Sequence, residues 1–380
     1  MRPRVLFADA YPAHVAGAQL TLGELATGLR DRFDVCVATV AVGAAADYWR
    51  SLGLAVHVVP YPEALQRWQG ELVAAGGPSR WRTSVAALRH ARAAAALLRA
   101  EEIDVLYCSN VRTVLTFGVG ARLARVPSLW YVQQLQHRMG RSHSIAARIA
   151  TRVASLSART DSVFPHGLPA NRSVVIPLGI DLERWSPRPQ PPPGPPLRLA
   201  YVGQIAAEKG LDSLVQALAE LRTRGVHATL RIIGAAADDH GRAEHSRLCG
   251  RIEALALQTD VEWFGHTDDV PGALAGSHLL VSGSRREGLP RSMMEAMALG
   301  LPVVATDVGA VRDLVIDGVT GFVVPPDDPR AMAEAVARSA TDPTLLAAQG
   351  AAASERVRDN FDLARTVSLF AAELSAMARR

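Results

Sequence analysis

The sequence has 380 residues, of which 49% are hydrophobic and 5% aromatic, with a formal net charge of +4. This length suits two domains with a core each, and the composition is that of an ordinary soluble α/β protein. No apolar run is long enough to span a membrane, and the first predicted strand begins at Val5, so we expect a cytoplasmic protein without a signal peptide. Cys36, Cys108 and Cys249 are far apart among apolar residues, which excludes a disulfide framework and predicts three small buried side chains.

Positive charge is concentrated in the first half of the chain. Residues 1–185 contain 21 arginines and 13 acidic residues, whereas the remainder contains 20 basic and 24 acidic residues. Residues 105–160 include eight arginines and no acidic residue. This asymmetry predicts that the first half meets an anionic acceptor or an anionic membrane surface. A nucleic-acid partner is not expected, because no set of aromatic residues for base stacking accompanies the charge.

Short apolar runs alternate with helical patterns along the first half, which predicts a parallel sheet. The predicted strands are residues 5–10, 35–40, 56–60, 104–109, 128–133 and 173–177. An Arg-rich helix over residues 79–100 is a candidate membrane-surface helix, with a solvated helix face as the equally weighted alternative. Seven prolines within residues 187–196 predict a stiff linker. We therefore assign residues 1–185 to a first domain and residues 186–196 to a linker.

The second half repeats this alternation of strands and helices. The predicted strands are residues 198–203, 229–234, 261–264, 278–282, 303–306 and 321–325. They define a second parallel-sheet domain over residues 197–358, and residues 359–380 form a last helical segment.

Lys209 is the one lysine beside 40 arginines. It lies in Glu208-Lys209-Gly210, between the first strand of the second half and a predicted helix over residues 211–222. At a helix N-terminus its ammonium adds to the positive end of the helix dipole, which predicts anion binding. The alternative is a lysine retained by chance.

Two carboxylates, Glu287 and Glu295, flank a glycine-containing turn that runs from a predicted strand into a helix. In parallel sheets ligands bind beyond the carboxyl ends of the strands, which is where Glu287 falls. The free backbone amides of residues 287–291 would bind an anion or sugar hydroxyls, and the carboxylates would accept hydroxyl groups, a combination that suits a sugar nucleotide. The equally weighted alternative is a solvent-facing Glu287 and an Arg291–Glu295 pair at i, i+4 spacing.

An ordered set of short motifs resembles the family-4 glycosyltransferases with the GT-B fold. The matching motifs are Tyr201-Val-Gly203, Glu208-Lys209-Gly210, Val261-Glu-Trp-Phe-Gly265, Glu287-Gly288-Leu-Pro290 through Glu295-Ala-Met-Ala298, Gly300-Leu-Pro-Val-Val-Ala-Thr306, Gly318-Val-Thr-Gly321 and Pro325-Pro-Asp327. Ala16-Gly17-Ala-Gln19 and Ile176-Pro-Leu-Gly-Ile-Asp181 match more loosely. The ordered set is specific, whereas no single motif is.

The resemblance implies two Rossmann-like domains facing across a cleft, with the acceptor bound by the first and the sugar nucleotide mainly by the second. The last helix would cross back onto the first domain. Lys209 would neutralise the donor diphosphate, Glu287 would contact the donor sugar, and Glu295 would hold the ribose hydroxyls. The other implied donor contacts are Gly17, Gln204, Gly265, His266, Gly288, Leu289, Pro290 and Arg291.

The implied reaction is hexose transfer from a nucleoside-diphosphate sugar, with UDP or GDP as the expected carrier, to an acceptor hydroxyl with retention and without a metal or other cofactor. A cell-envelope glycan or a lipid-linked saccharide is the expected acceptor, at the inner face of a membrane. The chain departs from the family at Gln204, where arginine is usual, and at Gln133, where histidine is frequent. Glutamine hydrogen-bonds a sugar but, unlike histidine, cannot take up a proton at neutral pH. We therefore place Gln133 with Lys209 and Glu287 in the catalytic group as a hydrogen-bonding residue.

Two other functions stay open at this point. Gln133 and Gln204 favour a GT-B protein that binds sugar nucleotides, or acts as a scaffold, without turnover. A sugar-nucleotide epimerase of the same fold is a more distant alternative, because its chemistry needs more acid–base residues than the sequence supplies.

Overall fold

The computed structural model describes residues 2–66, 78–133, 140–158, 164, 171–187 and 194–378. The chain forms two compact units. The first contains the chain up to Leu178 together with the segment that begins at Leu363, and the second spans Gly179–Asp362. The chain therefore leaves the first unit before the predicted proline-rich linker, of which residues 188–193 lie outside the described part. Within the described ranges, no helix has the length and apolar character needed to cross a membrane.

The first unit is built on a parallel sheet. Among the described residues its strand order is β3-β2-β1-β4-β5-β6-β7. The strands are β1 (Arg4–Asp9), β2 (Asp34–Thr39), β3 (Ala55–Val58), β4 (Val105–Cys108), β5 (Ser128–Val132), β6 (Arg152–Ser155) and β7 (Ser173–Val175). Strands β1 and β4 are neighbours, with Ala8 opposite Cys108. The order reverses between them, so their carboxyl ends form a switch point, where parallel sheets bind ligands.

Helices connect the strands of the first unit. They span Gly17–Gly28, Ala44–Ser51, Glu63–Gln66, Pro78–Ala100, Val111–Thr113, Val119–Ala124, Arg141–Ile149 and Leu363–Ala378, with a π-helical turn at Val114–Gly118. The last of these helices packs on the sheet of this unit. Its Phe370 ring lies edge-on to Tyr131 with the ring centroids 4.9 Å apart, and Thr366 Oγ1 donates to the Pro177 carbonyl at 2.9 Å.

The second unit contains a second parallel sheet. Its described strands have the order β10-β9-β8-β11-β12-β13. They are β8 (Leu197–Val202), β9 (Ala228–Ile233), β10 (Val261–Gly265), β11 (Leu279–Ser282), β12 (Val303–Thr306) and β13 (Gly321–Val324). Its helices span Leu211–Thr223, Asp239–Ala254, Val270–Leu274, Arg291–Ala298, Val311–Leu314, Pro329–Thr341 and Pro343–Asn360, with a 3-10 turn at Ala207–Lys209. The switch point lies between β8 and β11, where Ala200 is opposite Leu280.

The central strands are apolar because both of their faces are covered. Every residue of the central strands β4, β11 and β12 is buried, and so is every residue of β13 at the edge of the second sheet. Runs of Val, Leu and Ala without alternation are typical of parallel strands that helices cover on both sides. The predicted class, two parallel-sheet α/β units, is therefore confirmed.

The sequence analysis missed two long helices of the second unit, Asp239–Ala254 and Pro343–Asn360, as well as β6 and the helix before it. Each long helix follows an aspartate, Asp238 or Asp342, whose side chain accepts a hydrogen bond from a first-turn amide. Pro343 also occupies the first helical position, which is a usual start signal. Small or polar residues fill several buried positions of these helices, so the caps mark them better than an apolar stripe does.

Many arginines donate to main-chain carbonyls where helices end. Arg122 Nε donates to the Ile149 carbonyl in the first unit, and Arg356 Nε donates to the Leu314 carbonyl in the second. These carbonyls have no partner within their own helix, and a cation also complements the negative end of the helix dipole. Further arginines with such contacts are Arg99, Arg172 and Arg222.

Candidate functional site

The candidate site lies at the carboxyl edge of the second sheet, where β8 and β11 adjoin. After β8 the chain forms the turn Ala207–Lys209, and after β11 it forms a loop that ends at the helix Arg291–Ala298. The two segments touch at Gly210 and Gly283. A Cβ on Gly210 would lie 1.9 Å from the Gly283 carbonyl oxygen, and a Cβ on Gly283 would lie 2.5 Å from that of Gly210. Glycine is therefore required on both sides of this contact.

The contact between the loops brings Lys209 next to Glu287. Lys209 Nζ donates to Glu287 Oε1 at 2.8 Å, and Ser284 Oγ donates to the same oxygen at 2.7 Å. The side chains of Lys209 and Glu287 are 26% and 14% exposed. Glu287 is therefore not solvent-facing, which contradicts the alternative interpretation of this residue. The ion pair leaves the ammonium within reach of a ligand at the edge of the sheet, while the carboxylate holds its position.

Glu295 and Arg291 form the i, i+4 pair that the sequence analysis kept as an alternative. Arg291 Nε donates to Glu295 Oε1 at 2.7 Å, and both side chains are 10% exposed. The pair is thus largely buried, and a carboxylate, with about four lone-pair sites on its two oxygens, can accept several hydrogen bonds at once. Pro290 precedes this helix and supplies no side-chain hydrogen bond to its first turn.

The segment after β12 packs against the loop between Glu287 and Glu295 and fixes its main chain. Ala310 N donates to the Gly288 carbonyl at 2.9 Å. Gly309 has a φ of 57°, and a Cβ there would lie 2.1 Å from the Glu287 carbonyl oxygen. Leu289 is buried. The loop can therefore offer a ligand its main chain and Glu287, but not the side chain of Leu289.

Gln204 follows β8 and has an exposed side chain. Its carbonyl accepts a hydrogen bond from the Tyr201 hydroxyl at 2.8 Å. Burial raises the pKa of Tyr201, and the charges of Glu287 and Glu208 raise it further. The hydroxyl therefore stays protonated and fixes the main chain at Gln204.

Gly265 and His266 lie further along the same edge. Gly265 ends β10 with a φ of 86°, and its carbonyl accepts from Gly234 N at 2.8 Å. His266 is exposed, with Nε2 3.8 Å from Asp268 Oδ1. Strands β9 and β8 separate β10 from β11, which corresponds to about 14 Å at the usual strand spacing. Gly265 and His266 therefore follow a different strand from Lys209 and Glu287, with β9 lying between β10 and β8.

Gly17 begins the first helix of the first unit, after the loop that follows β1. A Cβ at this position would meet nothing within 4 Å. Packing does not require glycine here, so its main chain is accessible at the start of the helix.

Gln133 follows β5, one strand away from the switch point of the first sheet. Its Nε2 donates to the Tyr107 hydroxyl at 3.4 Å. Burial raises the pKa of Tyr107, so this hydroxyl stays neutral. Gln134, the next residue, lies outside the described residues.

The sequence analysis missed Asp9, a buried carboxyl at the end of β1. It accepts from Ser109 Oγ at 2.6 Å and from Tyr11 N at 2.8 Å, and the amides of Gln19 and Asn110 lie at 3.4 Å. Burial raises the pKa of Asp9, and these hydrogen bonds oppose the rise, that of Ser109 most strongly. An acidic residue directly after an apolar run was the signal that could have revealed it.

Cys249 is exposed, so the expectation of three buried cysteines is wrong for this residue. It lies on the helix Asp239–Ala254 directly after the buried Leu248, and one residue turns the side chain by about 100° around a helix. Cys36 and Cys108 are buried. In the described part of the chain, no group of three or more His, Cys, Asp or Glu side chains is placed to hold a metal ion.

A family model matches the second unit. Residues 184–356 match the glycosyl transferases group 1. This region contains Lys209, Glu287 and Glu295, and it ends just before the segment that returns to the first unit.

Curated relatives match part of the chain. It is 33% identical over 175 residues to the lipopolysaccharide core biosynthesis mannosyltransferase LpcC of Rhizobium leguminosarum bv. viciae, with 46% of this chain and 49% of that protein covered. It is 38% identical over 145 residues to the alpha-D-kanosaminyltransferase of Streptomyces kanamyceticus, with 38% and 36% covered. The chain therefore spans about half the length, or less, of these relatives.

Solved structures match nearly the whole chain. The structure of Anabaena Alr3699/HepE in complex with UDP and glucose has a TM-score of 0.81 and 21% identity, and covers 99% of this chain and 100% of that one. Sucrose-phosphate synthase from Thermosynechococcus elongatus has a TM-score of 0.75 and 19% identity, with 99% and 100% covered. At these identities the likeness concerns the fold. The chain thus has the GT-B fold, and its residues 184–356 match the family model of the glycosyl transferases group 1.

Proposed function

We propose that the protein is a retaining, metal-independent glycosyltransferase that moves a hexose from a nucleoside-diphosphate sugar to an acceptor hydroxyl. The observation that carries this proposal is the Lys209–Glu287 pair at the switch point of the second sheet. A sugar nucleotide needs a cation for its diphosphate and an acceptor for its sugar hydroxyls. The pair supplies both within one contact.

Lys209 assists departure of the nucleoside diphosphate in this proposal. The bond between the anomeric carbon and the diphosphate oxygen breaks, and negative charge grows on that oxygen. The ammonium of Lys209 and the amides at the start of the helix Arg291–Ala298 stabilise this charge. The acceptor oxygen bonds the anomeric carbon on the face that the diphosphate leaves, and its proton passes to the departing oxygen. Attack on that face gives retention.

The other donor contacts take separate places along the edge. Glu295 binds the ribose hydroxyls beside its partner Arg291, and Gly265 and His266 border the base. Gln204 faces the diphosphate through its side-chain amide. The remaining contacts along this edge are the main chain of Gly288, Leu289 and Pro290.

We infer that the acceptor is a cell-envelope glycan or a lipid-linked saccharide at the inner, cytoplasmic face of a membrane. The arginine surplus of the first half supports this, as does the name of the relative LpcC, a lipopolysaccharide core biosynthesis mannosyltransferase. On the helix Pro78–Ala100, exposed Val85 and Leu88 lie beside exposed Arg89 and Arg92, which suits a surface helix.

Vesicle co-sedimentation tests the membrane part. We expect binding to vesicles that contain phosphatidylglycerol, weakened by salt and by the Val85→Ser/Leu88→Ser variant. Equal partitioning to anionic and neutral vesicles would contradict it.

A thermal-shift screen with UDP, GDP, ADP and their hexose conjugates tests the donor part. A ligand present at a hundred times its Kd should stabilise the fold by about 2.7 kcal/mol through mass action. The donor so identified is then offered with saccharide acceptors, and the anomeric configuration of the product is read by NMR with and without EDTA. We expect the product to have the same anomeric configuration as the donor. We also expect the transfer rate in EDTA to equal the rate without it. A protein that no nucleotide stabilises would overturn the proposal.

A second candidate function is binding of a sugar nucleotide without turnover. The contact of Gln133 with the Tyr107 hydroxyl favours it, because neither group takes up or releases a proton at neutral pH. This function predicts a nucleotide-dependent rise in Tm together with neither transfer nor hydrolysis of the sugar.

A further inference from the structure

We propose that Arg285 is a positioning residue that fixes Lys209 opposite Glu287 and thereby sets the phosphate-binding geometry without contacting the donor. The inference rests on the proposed function in one respect, namely that the Lys209–Glu287 pair is the diphosphate site. The sequence analysis did not single out Arg285.

Arg285 is bound to the turn that carries Lys209. Its main-chain amide donates to the Glu208 carbonyl at 2.8 Å, and its Nη1 donates to the Ala207 carbonyl. Both carbonyls belong to the turn Ala207–Lys209. Because Glu287 follows two residues after Arg285, the same residue is tied to both members of the ion pair.

The guanidinium of Arg285 is anchored on two carboxylates. Nη2 donates to Oδ1 and Oδ2 of Asp212 at 3.0 and 2.9 Å, and Nε donates to Asp327 Oδ1 at 2.7 Å. Asp212 lies in the first turn of the helix Leu211–Thr223, directly after the Lys209 turn, and Asp327 follows β13. One side chain therefore joins three segments of the carboxyl edge.

The anchor at Asp212 stays charged. Burial alone would raise the pKa of Asp212, but the hydrogen bonds and charge of Arg285, together with the charge of Arg247, outweigh burial and hold the pKa below its ordinary range. Arg247 lies at 3.8 Å from Asp212 and donates at 2.7 Å to Glu244. The Arg285–Asp212 contact is therefore intact at neutral pH.

The action of Arg285 is geometric. Its charge is opposed by Asp212 and Asp327, so it adds little positive potential for a ligand. Its contacts use the planar fork of the guanidinium, whose five N–H groups have fixed directions. The ammonium of a lysine has three donors at one point and cannot reach the same partners together.

Three single variants test the proposal: Arg285→Gln, Arg285→Lys and, as a matched control, Arg247→Gln. Arg247→Gln removes the other cation near Asp212, and among the described residues Arg247 forms no hydrogen bond or ion pair with the Lys209 turn. We expect kcat/KM to fall about 10²-fold in both Arg285 variants, because small misplacements of a catalytic group cost that much. Arg285→Lys should give no rescue, and Arg247→Gln should stay within about twofold of the parent protein.

Ligand affinities separate positioning from a merely structural role. In Arg285→Gln the affinity for the nucleoside diphosphate should fall while the affinity for the nucleoside alone is unchanged. In a Lys209→Ala background, Arg285→Gln should have no further effect on diphosphate affinity. Equal loss of both affinities, or an additive loss in that background, would overturn the proposal.

A donor-independent measurement distinguishes failure of this proposal from failure of the proposed function. Lys209 is the only lysine of the sequence, so amine acylation followed by peptide mass spectrometry reports on it directly. Loss of the Arg285 contacts should free the Lys209 ammonium from Glu287. Lys209 should therefore be acylated faster in Arg285→Gln than in the parent protein, and no faster in Arg247→Gln. Faster acylation without nucleotide binding in any variant supports positioning and refutes the transferase. Nucleotide binding with unchanged acylation and affinity refutes positioning alone.

Discussion

The carboxyl edges of the two sheets are built from opposite kinds of polar group. In the first unit, the buried Asp9 accepts from neutral donors, of which Ser109 Oγ is the closest at 2.6 Å. In the second unit, Lys209 and Glu287 carry opposite charges and remain partly exposed. The first edge satisfies its carboxylate within the unit, whereas the second keeps a cation within reach of solvent. The same strand reversal therefore supports both an internally satisfied edge and an edge that can receive an anion.

Removing the charge of Glu287 should have the largest effect. We expect Glu287→Gln to lower kcat/KM by about 10²–10³-fold, because Lys209 loses its charged partner and the donor sugar loses an anionic acceptor. The matched control is Glu262→Gln, which breaks an exposed pair with Arg231 near the start of β10. The measurement is initial-rate transfer with the donor found in the screen. A similar loss in the control would show that the effect is not specific to the edge.

Separating the two loops of the charged edge should have the next largest effect. Gly210 and Gly225 both have positive φ, 61° and 76°, but a Cβ clashes with the Gly283 carbonyl only at Gly210 and meets nothing within 4 Å at Gly225. Gly225→Ala should cost about 1 kcal/mol of unfolding free energy through backbone strain. Gly210→Ala should cost about 3 kcal/mol more. Urea denaturation measures the unfolding free energy of both variants. Equal losses would mean that the two loops can move apart at no cost in stability.

The carboxyl edge of the first sheet can be tested through the pH dependence of stability, with a smaller expected effect. Because burial raises the pKa of Asp9, the folded protein keeps this proton at pH values where the unfolded chain has released it. This group therefore lowers stability as pH rises from its ordinary pKa to its raised one. Asp9→Asn removes that loss while keeping an acceptor for Ser109. The unfolding free energy of the variant relative to the parent should increase with pH over this interval, and a pH-independent difference would argue against it.

Adding a cation to the charged edge should have the smallest effect. Gln204→Arg places a second positive charge on an exposed residue after β8, where the family that the sequence resembles usually has arginine. We expect a gain in nucleoside-diphosphate affinity of about 0.5–1 kcal/mol, as for exposed ion pairs, with no change in Tm. Gln204→Met is the uncharged control in the same calorimetric titration. Equal affinities in the two variants would place Gln204 away from the diphosphate.

The strands were predictable because residues buried on both faces of a parallel sheet appear as apolar runs. Strand β12 has the predicted bounds, Val303–Thr306, and the other strands common to both differ at their ends by a few residues. The helix Asp239–Ala254 was missed because polar and small residues interrupt its apolar face.

The site was predictable in its components but not in its contacts. Glycine, helix start and charge marked Lys209 and Glu287 separately, yet 78 residues separate the two in sequence. Asp9 and Ser109 are 100 residues apart. Such contacts depend on which strands become neighbours, and apolar runs do not encode strand order. Arg285 escaped notice for the same reason, since both of its carboxylate partners lie on other segments.

The arginines at helix ends change what the net charge of the chain means. Arg122 and Arg356 hold carbonyl groups at the negative ends of helices, so part of each charge is already compensated inside its unit. The formal net charge of +4 counts these groups in full and therefore overstates the potential that an anionic surface would meet. Exchanging such arginines for lysine would leave electrophoretic mobility unchanged but would loosen the helix ends, because an ammonium cannot reproduce the guanidinium fork. In this chain an abundance of arginine reflects how helices are terminated as well as what the surface attracts.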